Sequence, residues 1–239
     1  MALLTLLVAA PAPALEDLTP YRDQIERGYN ARDSKAIDAA VAALRKAATT
    51  SGQEDLASYY EAFARLRQSA LPGIAKSSAR NYLEQCIDGL DTLLDRRSDY
   101  AQARALYASC LGASANYYVL RAATRGIASG REMSGAVKLA PDNPWVVFQD
   151  AVSDYMTPAM FGGNKERALG KLQRAEQLFV ASRPEGRSGP VFGESETTLY
   201  IGRVYLSLGQ VDKARHALLK AQALAPDSAD VRDELAKLR

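Results

Sequence analysis

Residues 195–228 contain two stripes of apolar or small residues separated by a turn. Within each stripe the members recur three or four positions apart, which places them on one face of a helix. The first stripe consists of Leu199, Gly202 and Leu206, and the second consists of Ala214, Leu218 and Ala221. Gly209 lies between them, and glycine takes the left-handed conformation that ends many helices at little cost. The pattern predicts two packed helices, with Asp212 positioned to cap the second.

One helix pair of this kind cannot bury its apolar face alone, so neighbouring pairs are expected. Helical periodicity predicts four more pairs before this one and a short helix after it. The predicted helices span residues 18–31 and 34–48, 54–71 and 77–96, 100–111 and 132–139, 143–156 and 165–181, and finally 229–238. Two interruptions are expected: an insertion near residues 117–129, and a loop at residues 157–164 that ends with Asn164 as a helix cap.

Six residues at fixed spacing characterise the unit at residues 195–228: Ile201, Gly202, Tyr205, Ala214, Ala221 and Pro226. With this spacing the unit resembles the tetratricopeptide repeat, a helix–turn–helix of about 34 residues. Thr198 and Leu218 depart from the pattern, which has aromatic residues at both positions. The resemblance implies an all-α fold, an α-α superhelix with right-handed twist, made of about five helix pairs and a C-terminal capping helix. The clearest repeats are residues 142–181 and 195–228.

The residues around the fourth predicted pair indicate which tetratricopeptide proteins the chain resembles. Residues 140–144 read Ala-Pro-Asp-Asn-Pro, and residues 161–164 read Phe-Gly-Gly-Asn before a helix. This combination is similar to small exported bacterial tetratricopeptide proteins and, more distantly, to the periplasmic T-component of TRAP-type transporters. The resemblance extends from about Tyr82 to the end of the chain. It implies a periplasmic solenoid and transfers no catalytic residue.

The first residues form a separate signal. Residues 3–10 are an apolar run, and Ala12-Pro13-Ala14 is similar to a signal-peptide cleavage site. The sequence therefore predicts a signal peptide at residues 1–14, one helical-repeat domain at residues 15–239, and a periplasmic or secreted protein. No Lys or Arg precedes the run, so a helical or disordered N-terminus of a cytosolic protein is the alternative. No later stretch is long enough to span a bilayer, and membrane insertion of the mature chain is not expected.

Composition and charge bear on the class of function. A net charge of +2 gives no electrostatic footprint for nucleic acid or for an anionic membrane. The chain has two Cys, no CxxC motif and a single His, His216, so neither a metal site nor a cofactor is expected. Asp88, Asp91 and Asp95 form an acidic helix face, which indicates a solvated surface because no glycine-containing calcium loop accompanies them. The sequence therefore predicts a protein without enzymatic activity.

The two cysteines, Cys86 and Cys110, lie on adjacent predicted helices that meet near Arg97. Counted from that turn, their depths along the helices differ by about 4 Å. A disulfide requires Cα atoms about 4.4–6.8 Å apart, so a bond is compatible with this placement. Two alternatives remain open: a disulfide, or two separate buried thiols that act as small packing residues.

The candidate binding site is the concave groove that the first helix of each pair would line. The candidate residues are Gln102, Trp145, Phe148, Tyr155, Phe161, Glu196, Leu199 and Arg203. Aromatic and Arg side chains are the anchors that protein interfaces favour. Trp145 and Phe148 can equally fill the core between repeats, and Phe161 can belong to a simple tight turn instead of a loop over the groove.

Two functions are compatible with this groove. The first is an adaptor or assembly factor of the bacterial envelope that binds a protein or peptide partner. The alternative is a solute-binding accessory protein of a periplasmic transport system, in which Phe161, Trp145 and Tyr117 would line an enclosed apolar pocket. A closed cavity would favour the second function, whereas an open groove with charged walls would favour the first.

Overall fold

The computed structural model describes residues 17–182 and 193–238, and over these residues the secondary structure is helical, with no strand. Eleven α-helices are described: α1 Thr19–Asn30, α2 Ser34–Ser51, α3 Glu54–Ser69, α4 Lys76–Arg96, α5 Ala101–Ala115, α6 Ala122–Leu139, α7 Pro144–Met156, α8 Lys165–Ala181, α9 Glu194–Ser207, α10 Val211–Leu224 and α11 Ala229–Ala236. Two short 3₁₀ turns are Val119–Arg121 and Ala159–Phe161. The predicted signal peptide at residues 1–14 lies outside the described residues.

The α-helices form five consecutive pairs followed by the single helix α11. In each pair the two helices pack against one another: α1 with α2, α3 with α4, α5 with α6, α7 with α8, and α9 with α10. Successive pairs also contact each other, as between α4 and α5 and between α8 and α9. The predicted all-α superhelix of five pairs with a C-terminal capping helix is therefore confirmed.

The core is divided between two main clusters of buried side chains. The larger joins α1 to α5 and contains Leu44 and Leu90, and the second joins α7 to α10 and contains Leu172. Small residues of α5 and α6 pack against Val146 at the start of α7 and connect the two clusters. Each pair thus buries its apolar stripe against the next, as a stack of repeats requires.

The expected insertion near residues 117–129 is not a separate element. The 3₁₀ turn Val119–Arg121 interrupts the third pair, and α6 begins directly afterwards at Ala122, much earlier than the pattern predicted. Arg125 forms an ion pair with Glu84 of α4 at 2.8 Å and anchors this early part of α6. The additional residues of this repeat therefore lengthen its second helix, since tertiary contacts override the weak helix propensity of the glycines there.

Two of the predicted helix signals are confirmed and one is wrong. The Asn164 side chain accepts a hydrogen bond from the backbone N–H of Arg167 at 2.7 Å and caps α8. Gly209 has a φ of 71°, in the left-handed region, just after α9. Asp212 does not cap α10, because the helix already begins at Val211 and places Asp212 within its first turn. Its charge still suits that end of the helix dipole.

Cys86 on α4 and Cys110 on α5 are joined as a disulfide in the structure, with their Cα atoms 6.3 Å apart. Both side chains are fully buried. The geometry favours the first of the two alternatives, because this separation lies within the range that a disulfide spans. Such a bond persists in an oxidising compartment, which is where a signal peptide would deliver the chain.

Gly202 allows α9 and α10 to approach closely. A Cβ atom at this position would lie 2.7 Å from Cγ and Cδ2 of Leu218 on α10. Leu218 is fully buried in a cluster with Leu199 and Val231, so a shift of its side chain would displace these neighbours. The repeat pattern predicted a small residue here for helix packing, and this is confirmed.

Gly202→Ala should lower the free energy of unfolding by about 1–3 kcal/mol, because overpacking displaces side chains or backbone. Gly170→Ala is the matched control: Gly170 lies within α8, but no atom is found within 4 Å of its Cβ position. Alanine there should raise stability by about 0.5–1 kcal/mol. Urea unfolding followed by circular dichroism measures both variants, and effects of the same sign would contradict the close approach.

The inner face of the superhelix as candidate functional site

The first helices of the pairs line the inner face of the superhelix, where aromatic side chains connect them. Trp145 on α7 lies edge-to-face against Phe63 on α3, with ring centroids 6.3 Å apart, and against Phe148 at 5.5 Å. Phe148 contacts Tyr200 on α9 at 5.6 Å, and Tyr200 contacts Tyr155 at 6.1 Å. Each such pair contributes about 0.5–1.5 kcal/mol beyond burial. These five residues, called here the aromatic row, link pairs two, four and five.

Arg67, near the C-terminal end of α3, joins three helices. Its Nε donates to Glu26 Oε1 on α1 at 2.9 Å, and its two Nη atoms donate to the two carboxylate oxygens of Glu196 on α9 at 2.8 and 2.5 Å. The guanidinium also lies 4.8 Å from the ring centroids of Tyr29 and Phe63. A bidentate Arg–carboxylate pair is strong and directional. Arg67 therefore ties pair five to pairs one and two.

Burial sets the electrostatics of this group. The side chains of Arg67, Glu26 and Glu196 are 14%, 24% and 18% exposed. Burial raises the pKa of Glu26 above its ordinary value of 4.5, against the opposing effect of Arg67, and the charge of Glu196 raises it further. Burial alone would lower the pKa of Arg67, but the two carboxylates outweigh it and raise that pKa well above its ordinary value. One guanidinium thus forms ion pairs with two carboxylates, and Glu26 is the carboxylate whose charged form burial destabilises.

Arg203 forms a second centre, between α9 and α11. Its Nε donates to Glu234 Oε1 at 2.9 Å and its Nη2 to Asp230 Oδ2 at 3.3 Å, while its guanidinium lies 5.0 Å from the ring centroid of Tyr200. Burial opposes the charge of Glu234, but hydrogen bonds from Lys237 and Arg203 outweigh it and lower the pKa of Glu234. The protein's own acidic groups therefore neutralise Arg203.

The two ends of the described chain also meet. Tyr29 Oη on α1 donates to Asp230 Oδ2 on α11 at 3.1 Å, and Arg32 pairs with Asp233. Arg32, in the turn after α1, has a φ of 57°, which is uncommon for a residue with a side chain. These contacts close the superhelix on itself. The chain's own side chains therefore fill much of the concave groove that the repeats would otherwise leave open.

Five of the residues proposed from the sequence come together on this inner face. Trp145, Phe148 and Tyr155 belong to the aromatic row. Glu196 and Arg203 form the ion pairs with α3 and α11. Phe148 is buried and fills the core between repeats, whereas Trp145 and Tyr155 are half-buried and keep part of their surface on the inner face.

The other three proposed residues lie elsewhere. Leu199 is buried among Leu218 and Val231 and belongs to the core between α9, α10 and α11. Gln102 is half-buried in the first turn of α5. Phe161 is exposed on a 3₁₀ turn and does not fold over the groove.

Phe161, Trp145 and Tyr117 do not form the enclosed pocket that the solute-binding alternative requires. Phe161 is 72% exposed, and Trp145 is packed within the aromatic row. Tyr117 lines a shallow surface recess of 370 Å³ beside Lys76 and Arg80 of α4. The three residues thus belong to three different surroundings.

The titratable candidates from the sequence lie on the surface. His216 and the acidic residues Asp88, Asp91 and Asp95 are all exposed. In the part of the chain that the structure describes, no group of three or more His, Cys, Asp or Glu side chains is arranged to hold a metal ion.

The sequence reasoning missed the Arg67 centre. A signal was present, because Arg67 follows Phe63 by four positions and so lies on the inner stripe of α3, where a buried cation needs a partner. Its partners Glu26 and Glu196 are 41 and 129 residues away in the chain. Separations of this size leave no periodic trace in one sequence.

The helix pairs and their inner face define an α-solenoid of tetratricopeptide type. The chain is similar to TTC0263, a thermophilic TPR protein in Thermus thermophilus, with 18% identity over 93% of this chain and 98% of that one and a TM-score of 0.63. It is also similar to the HusA haemophore from Porphyromonas gingivalis, with 20% identity over 83% and 96% of the two chains and a TM-score of 0.59. At these identities the similarity shows the fold alone. No protein-family model and no curated protein matches the chain.

Arg67→Met should lower the free energy of unfolding by about 3–5 kcal/mol, because it leaves two buried carboxylates without their cation. The control is Arg174→Met, which removes a surface ion pair with Asp142 and should cost less than about 1 kcal/mol. Denaturant unfolding of both variants measures the difference. Equal losses would show that the Arg67 centre does not hold the pairs together.

Glu26 and Glu234 should affect the pH dependence of stability in opposite directions. Glu26 binds its proton more tightly in the folded state, so wild type should lose stability relative to Glu26→Gln as pH rises above 4.5. Glu234 has a lowered pKa, so wild type should lose stability relative to Glu234→Gln as pH falls below 4.5. Unfolding free energies of the three proteins between about pH 3 and about pH 8 test this, and slopes of the same sign would contradict it.

Proposed function

We propose that the protein is a non-enzymatic adaptor of the bacterial envelope that binds a protein or peptide partner at its inner face. The observation that carries the proposal is the aromatic row beside Arg203. Trp145, Tyr155 and Tyr200 are half-buried, so each ring is held by its neighbours and keeps part of its surface accessible. Aromatic and Arg side chains fixed in this way are the anchors that protein interfaces favour.

The partner would lie along α7 and α9. Tyr155 and Tyr200 are in contact, and Arg203 is held over Tyr200, so the three side chains form one preordered surface. Preordering lowers the entropy cost of binding. Because Asp230 and Glu234 already neutralise Arg203, recognition would depend on apolar contact and hydrogen bonds more than on the charge of the partner.

The envelope location rests on two features of the chain. The apolar run at residues 3–10 and the cleavage-like Ala12-Pro13-Ala14 favour export. The disulfide between Cys86 and Cys110 agrees with an oxidising compartment.

The second candidate is a carrier of a small ligand. One structural neighbour is named a haemophore, and that name favours it. Against it, the three residues expected to line a pocket, Phe161, Trp145 and Tyr117, lie apart. Native mass spectrometry of the purified protein separates the candidates, because a carrier should retain a small molecule of defined mass.

Site-specific photo-crosslinking tests the adaptor proposal. The photoreactive amino acid p-benzoylphenylalanine in place of Tyr155 should capture one defined partner protein in irradiated cells. The same amino acid in place of Leu219, an exposed residue of α10 outside the inner face, is the matched control and should capture much less. Absence of a captured protein at position 155, or equal capture at both positions, would show that the inner face is not the binding surface.

A further inference from the structure

Large apolar side chains are exposed at one edge of the superhelix. Leu120 is 98% exposed, Met160 82%, Ile127 75%, Phe161 72% and Met156 64%. Leu120, Met156, Met160 and Phe161 lie in or next to the turns that connect the two helices of pair three and of pair four, and Ile127 lies in the second turn of α6. Single exposed apolar residues are ordinary, but a group at one edge indicates a contact surface. These five residues are called here the apolar edge.

The turns of pairs three and four lie at the same height. Ser109 on α5 donates a hydrogen bond to Gln149 on α7 at 2.7 Å, an offset of 40 residues between the two parallel helices. The same offset places the end of α5 at Ala115 within one residue of the end of α7 at Met156, so the turns that carry Leu120 and Met160 begin at about the same height. Packed helices have axes about 8–10 Å apart, so the two turns form one continuous rim.

The rim carries more positive charge than its described acidic groups can neutralise. Lys76 and Arg80, in the first two turns of α4, and Arg121, directly before α6, are exposed, and none of them forms an ion pair with a residue that the structure describes. Glu84, on the same part of α4, is already bound by Arg125 at 2.8 Å.

The acidic groups at the end of α7 are neutralised in the same way. Asp154 at the end of α7 is bound by Arg167 and Lys171 at 2.5 and 2.7 Å. Glu166, in the first turn of α8, is exposed and forms no ion pair with a described residue, and the adjacent Lys165 balances it in net charge only. A negatively charged surface that approaches the rim would therefore be attracted.

The shape of the rim favours a flat partner. Leu120 and Met160 are the central residues of the two 3₁₀ turns, and each projects singly from the protein. The surface recess at this end of pair three contains no Leu, Ile, Val, Met or Phe side chain. It is lined by Lys76, Ser77, Arg80, Asn116 and Tyr117. Protruding apolar side chains beside cations suit a bilayer interface, where the apolar groups reach the acyl boundary and the cations meet lipid phosphates.

We propose that the apolar edge is a peripheral membrane-binding surface whose ligand is a bilayer that contains anionic phospholipid. None of the described helices is long and apolar enough to cross a membrane, so the proposal concerns association at the surface. It goes beyond the adaptor function and uses residues that are separate from the inner face.

Vesicle flotation tests the proposal with the full chain. Wild type should float with vesicles of phosphatidylethanolamine and phosphatidylglycerol, and the bound fraction should fall as ionic strength rises from about 0.1 M to about 1 M. The double variant Leu120→Asp/Phe161→Asp should bind at least about tenfold less, because both side chains would enter the interface. Both residues are exposed, so the circular dichroism spectrum should not change.

Leu219→Asp is the matched control, since it makes the same change at an apolar residue of α10 that is 52% exposed and far from these turns in the chain. It should float like wild type. All variants keep the apolar run at residues 3–10, so any contribution of that run to binding is common to them.

Three results would overturn the proposal: no flotation of wild type, equal flotation of the double variant, or equal binding to vesicles of phosphatidylcholine alone. If vesicles do not bind and p-benzoylphenylalanine in place of Leu120 crosslinks a protein or a second copy of the chain, the edge is a protein interface. The crosslinking experiment at Tyr155 reports on the inner face independently, so the failure of one proposal does not decide the other.

Discussion

The buried guanidinium of Arg67 is the interaction on which the inner face depends. In a stack of repeats each unit ordinarily contacts only its neighbours. Arg67 instead joins the second pair to Glu26 of the first and Glu196 of the fifth. The cost of burying these charges is met only because donors and acceptors are matched and two aromatic rings cover the guanidinium. The same contacts hold the fifth pair against the first two.

Closure changes what kind of binding surface the solenoid offers. An extended peptide cannot thread a groove that is filled by ion pairs and edge-to-face rings, so a partner would dock onto the accessible sides of Tyr155 and Tyr200. The rim around Leu120 and Met160 belongs to different turns of the fold. With two separate surfaces, a chain of this kind could hold a partner at one face while it rests on a bilayer with the other.

The helices could be predicted from the sequence because their signals are local. The bounds of α8 were predicted at residues 165–181, since Asn164 caps its start and a small–large–small stripe follows. The early start of α6 could not be predicted, because it depends on the contact between Arg125 and Glu84. The site was predicted in part: aromatic residues of α7 were identified from their type, whereas the filled groove depends on pairings across the whole chain.

The hydrogen bond between Tyr29 and Asp230 spans 201 residues of sequence, and this separation bears on how the protein folds. Helix pairs can form and stack progressively through local contacts, but the contact between the ends must wait for almost the entire chain to be in place. The entropy cost of closing the loop grows only logarithmically with its length. The long separation therefore delays formation of this contact but lowers its contribution to stability only slightly. Once formed, it ties down the two terminal units, from which a linear array would otherwise fray.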